Sequence, residues 1–87
     1  MDNNQNQDPN NINIQLNAVI APGVYVNLEK VNHSPSEFVV DFIQLMPGVQ
    51  QANVRSRVIL APLHAKRVLE ALQQNITNYE QQFGEIK

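Results

Sequence analysis

An α+β domain, with a four-stranded antiparallel β-meander followed by one long C-terminal α-helix, is predicted by three observations on this 87-residue chain. Apolar and polar residues alternate in "NINIQLN" and "VYVNLEKV", the period of a strand with one wet face. Two further extended segments, "EFVVDFIQLM" and "ANVRSRVIL", are joined to their neighbours by short connections rich in Pro and Gly. After Pro62 the apolar period lengthens to that of a helix. The domain is placed at residues 12–87, and residues 1–11, almost all Asn, Gln and Asp, are expected to form a disordered polar tail.

Each element follows from its own pattern. Ile12, Ile14 and Leu16 alternate with Asn13, Gln15 and Asn17 in the first predicted strand. Val24, Val26 and Leu28 share one face of the second, with Tyr25, Asn27 and Glu29 on the other. The third is apolar on both sides: Phe38, Val40, Phe42 and Met46 point one way, and Val39, Ile43 and Leu45 share the other with Asp41. Such a strand usually sits centrally and is covered twice. Pro47-Gly48 suits the central positions of a type II turn. The fourth strand sets Ala52, Val54, Val58 and Leu60 against Asn53, Arg55 and Arg57. Pro62 fits the first turn of a helix, which is expected to run to about Phe83 and stop at Gly84 in a left-handed conformation.

Composition bounds the function. A chain of this length buries only about 60–65% of its unfolded surface, and with no cysteine it has neither disulfide nor thiolate-metal support. That raises the expectation of a subunit interface. The net charge of −2 comes from Asp2 and Asp8, leaving a neutral body with no field to attract nucleic acid or an anionic membrane. No apolar run approaches the roughly 20 residues needed to span a bilayer. The first residues lack a basic start and apolar stretch, so a cytoplasmic location is expected.

The residues with chemical potential lie mainly in "VNHSPSEFVVDF". His33, Ser34, Ser36 and Glu37 could suggest a nucleophile with base and acid. Such groups must converge on one reacting atom, whereas neighbours on a tight turn diverge and no Gly-rich elbow surrounds either serine. A strand-connecting turn is the preferred reading, with Pro35 setting φ and the serines bonding local backbone. His33 and His64 are too far apart in sequence to read as a zinc pair. No catalytic residue, metal ligand or cofactor is therefore assigned. Asp41 interrupts an apolar face and needs a partner, for which Arg55 or Arg57 on the adjacent strand is available. Inside an interface such a pair would fix register. Arg55, Arg57, Lys66 and Arg67 make the only basic concentration. With the strand–helix order they resemble a ribbon-helix-helix repressor, but no second helix follows.

The helix carries the strongest pattern. Ala65, Leu69, Leu72, Ile76, Tyr79, Phe83 and Ile86 recur at alternating spacings of four and three. This stripe is expected to cover one sheet face, chiefly Val24, Val26, Leu28, Phe38, Val40, Phe42, Val54 and Val58. Tyr25, Val31, Val39, Ile43, Leu45 and Ile59 then remain on the other, more apolar area than a monomer usually exposes.

"HSPSEFVVDF", "RVILAPLHAKRVLEAL" and "YEQQFGEI" resemble segments of domain-of-unknown-function family 3467, over roughly residues 22–86. The resemblance implies a small domain of prokaryotic, cytoplasmic origin and hands over no activity and no catalytic residues. Ala61 departs from the capping Thr or Ser expected there in relatives. Four antiparallel strands and a long helix are also similar in architecture to SecB-type export chaperones, an analogy of fold that carries no function by itself. The expected function is a non-enzymatic homo-oligomer, a dimer or higher, that binds protein or peptide in a chaperone-like way. The interface candidates are Tyr25, Val39, Asp41, Ile43, Leu45, Ile59, Ile76, Tyr79 and Phe83. The alternative is a nucleic-acid-binding or transcription accessory protein using Arg55 and Arg57. A small-molecule hydrolase built on His33 and Glu37 ranks last.

Overall fold

The computed structural model describes residues 12–48 and 50–87, so the tail expected at 1–11 lies outside the described residues. Three strands, β1 (Leu28–His33), β2 (Phe38–Gln44) and β3 (Asn53–Leu60), form an antiparallel sheet in the order β1-β2-β3. A single helix, α1 (Pro62–Phe83), follows. The α+β class, the antiparallel sheet and the C-terminal helix agree with the sequence; among the described residues the strands are three, not four.

The missing strand is the first. No strand forms over residues 12–17, where Asn13 makes an isolated bridge. Alternation supplies a face but not a ladder partner, and Asn17 turns the chain away. Its carbonyl accepts the N–H of Ile20 at 2.9 Å and of Ala21 at 2.8 Å, and its Oδ1 accepts that of Val19 at 2.7 Å. This is the local competition with strand pairing that Asn side chains offer.

β1 also begins later than the alternation from Val24 suggests, and Asn27 is the reason. Its backbone N–H donates to the carbonyl of Ile43 at 3.0 Å. Its side-chain amide then replaces a strand backbone: Nδ2 donates to the Leu45 carbonyl at 3.0 Å, and Oδ1 accepts the Leu45 N–H at 2.8 Å. The ladder is closed by a side chain, and Val24 to Val26 lie outside it.

β1 returns as β2 over Pro35 and Ser36, with Ser34 N–H donating to the Glu37 carbonyl at 2.9 Å. This sets His33 opposite Phe38, Val31 opposite Val40 and Leu28 opposite Ile43. Gly48, at φ 78°, has the positive φ that the third position of a type II turn requires after Pro47. On β3 the pairing slips after Phe42, which faces Ser56 while Ile43 faces Val54. Arg55 is the extra residue of a β-bulge.

Those two features rearrange the faces. Leu28 and Val54 were expected beside Phe38 and Val40; the hairpin register and the bulge put both on the face of Val39, Asp41, Ile43 and Ile59. Val31, expected with Val39, sits instead across from Val40 and Val58. Period two fixes faces within one strand, but the turn and the bulge decide which faces coincide.

The expected packing of α1 on its own sheet does not occur. None of its 22 residues is buried, and Leu69, Leu72, Tyr79 and Phe83 are each at least half exposed. Among the described residues no apolar side chain is buried at all. The radius of gyration is 16.1 Å, where a compact domain of this length has about 12 Å.

Candidate interaction surfaces

Three surfaces emerge from this open arrangement. The first is the sheet face centred on Asp41, the only buried polar residue among the described residues, at 4% exposure. Asp41 stands on the central strand directly between Lys30 on β1 and Arg57 on β3. Arg57 Nε donates to Asp41 Oδ1 at 2.6 Å and Nη2 to Oδ2 at 2.9 Å, a two-pronged contact that matches guanidinium and carboxylate geometry. The Arg57 hydrogen bonds hold the Asp41 carboxyl below the usual carboxylate range; burial opposes this, and the Arg57 and Lys30 charges reinforce it. The Arg57 guanidinium is pushed up in turn, chiefly by its hydrogen bonds to Asp41. Leu28, Ile43 and Val54 flank the charged row on one side, Val39 and Ile59 on the other.

The second surface is the opposite sheet face, where cross-strand rows are apolar. Val31, Val40 and Val58 align across the three strands, as do His33, Phe38 and Leu60. The His33 and Phe38 rings stack with centroids 5.6 Å apart. Phe42 extends this apolar area between Glu29 and Ser56.

The third is the α1 stripe. Ile76, the least exposed of its large apolar residues, is still 41% exposed, and Phe83 is 69% exposed. The Tyr79 and Phe83 rings touch each other at 5.0 Å. The helix ends receive little local help. Ala61 makes no side-chain cap, and the first turn has no acidic and the last no basic residue. Gly84 stops the helix at φ 96°, ψ 169°, an extended positive-φ region open essentially to glycine rather than the expected left-handed helical one.

Of the interface candidates, Val39, Asp41, Ile43 and Ile59 share one sheet face. Ile76, Tyr79 and Phe83 belong to the helix stripe and do not join them. Tyr25 and Leu45 lie outside the strands, Leu45 held by the Asn27 amide. Sequence reasoning missed Lys30, although counting back from the Pro35-Ser36 turn places it opposite Asp41. It also missed Asn27, for which no signal beyond a polar residue at a strand end was present.

Of the "HSPSE" residues, His33 ends β1 and Ser34 to Glu37 form the β1–β2 connection. Ser34 and Ser36 hydroxyls lie 3.3 Å apart, and Ser34 Oγ accepts the Ser36 N–H at 3.3 Å. Arg55 Nη1 donates to Gln44 Oε1 at 3.0 Å. Beside Arg55 and Ser56 a shallow recess of about 220 Å³ is lined by Val19, Ile20, Gly23 and Val24. Among the described residues no group of three or more His, Asp or Glu side chains is placed to hold a metal ion, and no helix is long and apolar enough to cross a membrane.

The family described as Protein of unknown function (DUF3467) matches residues 1–87. No curated protein and no solved structure matches the chain. The likeness to SecB-type chaperones is thus without a matching structure, and among the described residues the four strands on which it was based are three.

Proposed function

The chain belongs to the family described as Protein of unknown function (DUF3467), and from its geometry we propose that it is a non-enzymatic, cytoplasmic homo-oligomer that binds protein through apolar surface. One observation carries this reading: among the described residues the isolated chain buries no apolar side chain, although both sheet faces and the helix carry apolar rows. Burying one Val, Leu, Ile or Phe side chain stabilises a fold by roughly 1.5–3 kcal/mol. Half-covered side chains such as Phe38, Val40, Phe42 and Val58 supply only part of that gain, which leaves little to offset the entropy of ordering the chain.

The helix stripe points the same way: Leu69 is 61%, Leu72 57%, Tyr79 50% and Phe83 69% exposed, more contiguous apolar surface than a folded monomer usually leaves in water. The nucleic-acid alternative gains less support. Arg57 is spent on Asp41 and Arg55 contacts Gln44, so neither guanidinium is free of a local partner.

Sedimentation equilibrium at micromolar concentration tests the assembly, with a dimer or larger species expected; a folded monomer overturns it. Binding of unfolded polypeptide is tested by titrating the assembled protein into a fluorescent, reduced and carboxymethylated protein chain. Saturable binding is expected, and none at high micromolar concentration restricts the function to self-assembly.

A further inference from the structure

We infer that two copies exchange their helices, so that α1 of each lies on the Val31–Val40–Val58 sheet face of the other. This rests on the homo-oligomer reading above and specifies its contact. Each chain carries an apolar sheet face without a helix and an apolar helix without a sheet. In most α+β domains the one covers the other within a chain. Here a single residue, Ala61, joins β3 to α1. It is extended, at φ −64° and ψ 150°, and the Pro62 ring disfavours the helical alternative at the residue before it. The joint thus holds the helix away from its own sheet, and α1 reaches for surface elsewhere.

The choice of face follows from polarity. The opposite face has Lys30, Asp41 and Arg57 across its centre, and an apolar helix stripe laid there would strip water from Lys30 and from the Arg57 side chain, 62% exposed beside Asp41, while offering no polar group in return. The Val40 face presents aligned apolar rows instead, and the large side chains of α1 offer Leu69, Leu72, Ile76, Tyr79 and Phe83 in return. At 1.5 Å per residue α1 is about 33 Å long, enough to run the full length of a seven-residue strand. A two-fold axis makes the exchange reciprocal and closed, leaving neither copy with an unmatched helix.

The chain contains no cysteine, so disulfide trapping can be read without background. Val40→Cys is combined in the full chain with Leu69→Cys, Leu72→Cys or Ile76→Cys, each pair oxidised at micromolar concentration and run without reductant. At least one pair is expected to form a covalent dimer as the main product, while Val39→Cys, on the other face, forms none with the same helix positions. Mixing a Val40→Cys chain with an Ile76→Cys or Leu72→Cys chain then yields a mixed covalent dimer. Several outcomes overturn the exchange while leaving the oligomer intact: efficient linkage of Ile76→Cys to itself alone, which means helix against helix; trapping by Val39→Cys instead; or no linkage from any pair. An intramolecular disulfide that runs as a monomer overturns it in favour of packing within one chain. Sedimentation of the unmodified protein, run alongside, separates these from failure of the oligomer reading, which requires a folded monomer. Circular dichroism of each reduced variant establishes that it folds before oxidation.

Discussion

The sheet and the helix of this protein are held in different ways. β2 and β3 meet through a ladder, a bulge and a two-pronged ion pair, with Asp41 buried between Lys30 and Arg57. Nearly everything that specifies the sheet lies within the chain. α1 has its own hydrogen bonds and a few polar contacts along its length, such as Gln74 Nε2 donating to Asn78 Oδ1 at 3.0 Å and Asn75 Nδ2 to the Ala71 carbonyl at 2.9 Å. It has no cap side chain and no buried residue. In proteins most helical stability comes from packing an amphipathic face rather than from propensity. The sheet is locally specified; the helix depends on what covers it.

The largest effect is therefore expected from charging the helix stripe. Ile76→Lys places an ammonium where the proposed assembly buries an aliphatic chain, and forfeits roughly 1.5–3 kcal/mol of burial per protomer before the desolvation cost is added. In a two-fold dimer the change is felt twice. Sedimentation should show a smaller or unfolded species, and helical circular dichroism should fall at concentrations where the unmodified protein keeps it. Gln81→Lys, a polar-face control, should leave both unchanged. The midpoint of thermal unfolding of the unmodified protein should rise with concentration, as linkage requires of an assembly.

Next comes the charged row that braces the sheet. The folded Asp41 carboxyl is held below its ordinary value of 3.8. Because the unfolded chain then binds the proton more readily, the stabilisation is fully present above about pH 4 and is lost as pH falls through the folded value. Asp41→Asn should flatten this part of the acid-unfolding profile, and Arg57→Ala should move the acid midpoint upward. Arg57→Lys keeps the charge but not the paired donors, and should fall between Arg57→Ala and the unmodified protein. An acid profile insensitive to all three would remove the ion pair from the stability of the sheet.

Much of this difference could be read from the residues, but unevenly. The order of the last two strands and the helix, the Pro62 start, the need of Asp41 for an arginine on the adjacent strand (Arg55 or Arg57) and the Pro35 turn follow from local chemistry. The first strand was misread because Ile12, Ile14 and Leu16 alternate regardless of whether a ladder partner exists, and Asn17 diverts the chain. Faces across strands were misread at Leu28 and Val54, since register depends on where a turn closes and where a bulge falls. The helix stripe was legible; its failure to pack on its own sheet was not, because an amphipathic pattern says that a face is buried without naming the chain that buries it.

A smaller effect isolates the edge of the sheet. Asn27 contributes a side chain in place of a backbone, satisfying both the N–H and the carbonyl of Leu45. Asn27→Ala removes two hydrogen bonds at an exposed site, worth about 1–2 kcal/mol together. Amide exchange at Leu45 should accelerate while amides in the middle of β2 keep their protection. Asn27→Asp retains the acceptor for the Leu45 N–H but faces its carbonyl with a carboxylate, and should not rescue the loss. Uniform acceleration along β2 would show that the clamp acts on the whole sheet rather than on its end.

The smallest change bears on the helix before any partner is considered. Ala61 already has the extended backbone of an N-cap, and its carbonyl accepts the Ala65 N–H at 2.9 Å. Only the side-chain oxygen is missing, so the N–H groups of Leu63 and His64 lack the acceptor that a cap residue usually supplies. Ala61→Asp supplies one and adds negative charge at the positive end of the helix dipole. A gain of about 0.5–2 kcal/mol is expected in thermal unfolding, with no change in the sedimenting species, since residue 61 precedes the apolar stripe. If the helix is folded only in the assembly, that gain also appears as tighter association: stabilising the helix lowers the cost of ordering it on binding. The concentration at which helical circular dichroism is half lost should then fall for Ala61→Asp. A helix that gains thermal stability without this shift is folded independently of any partner, and the contrast between a locally specified sheet and a dependent helix would not hold.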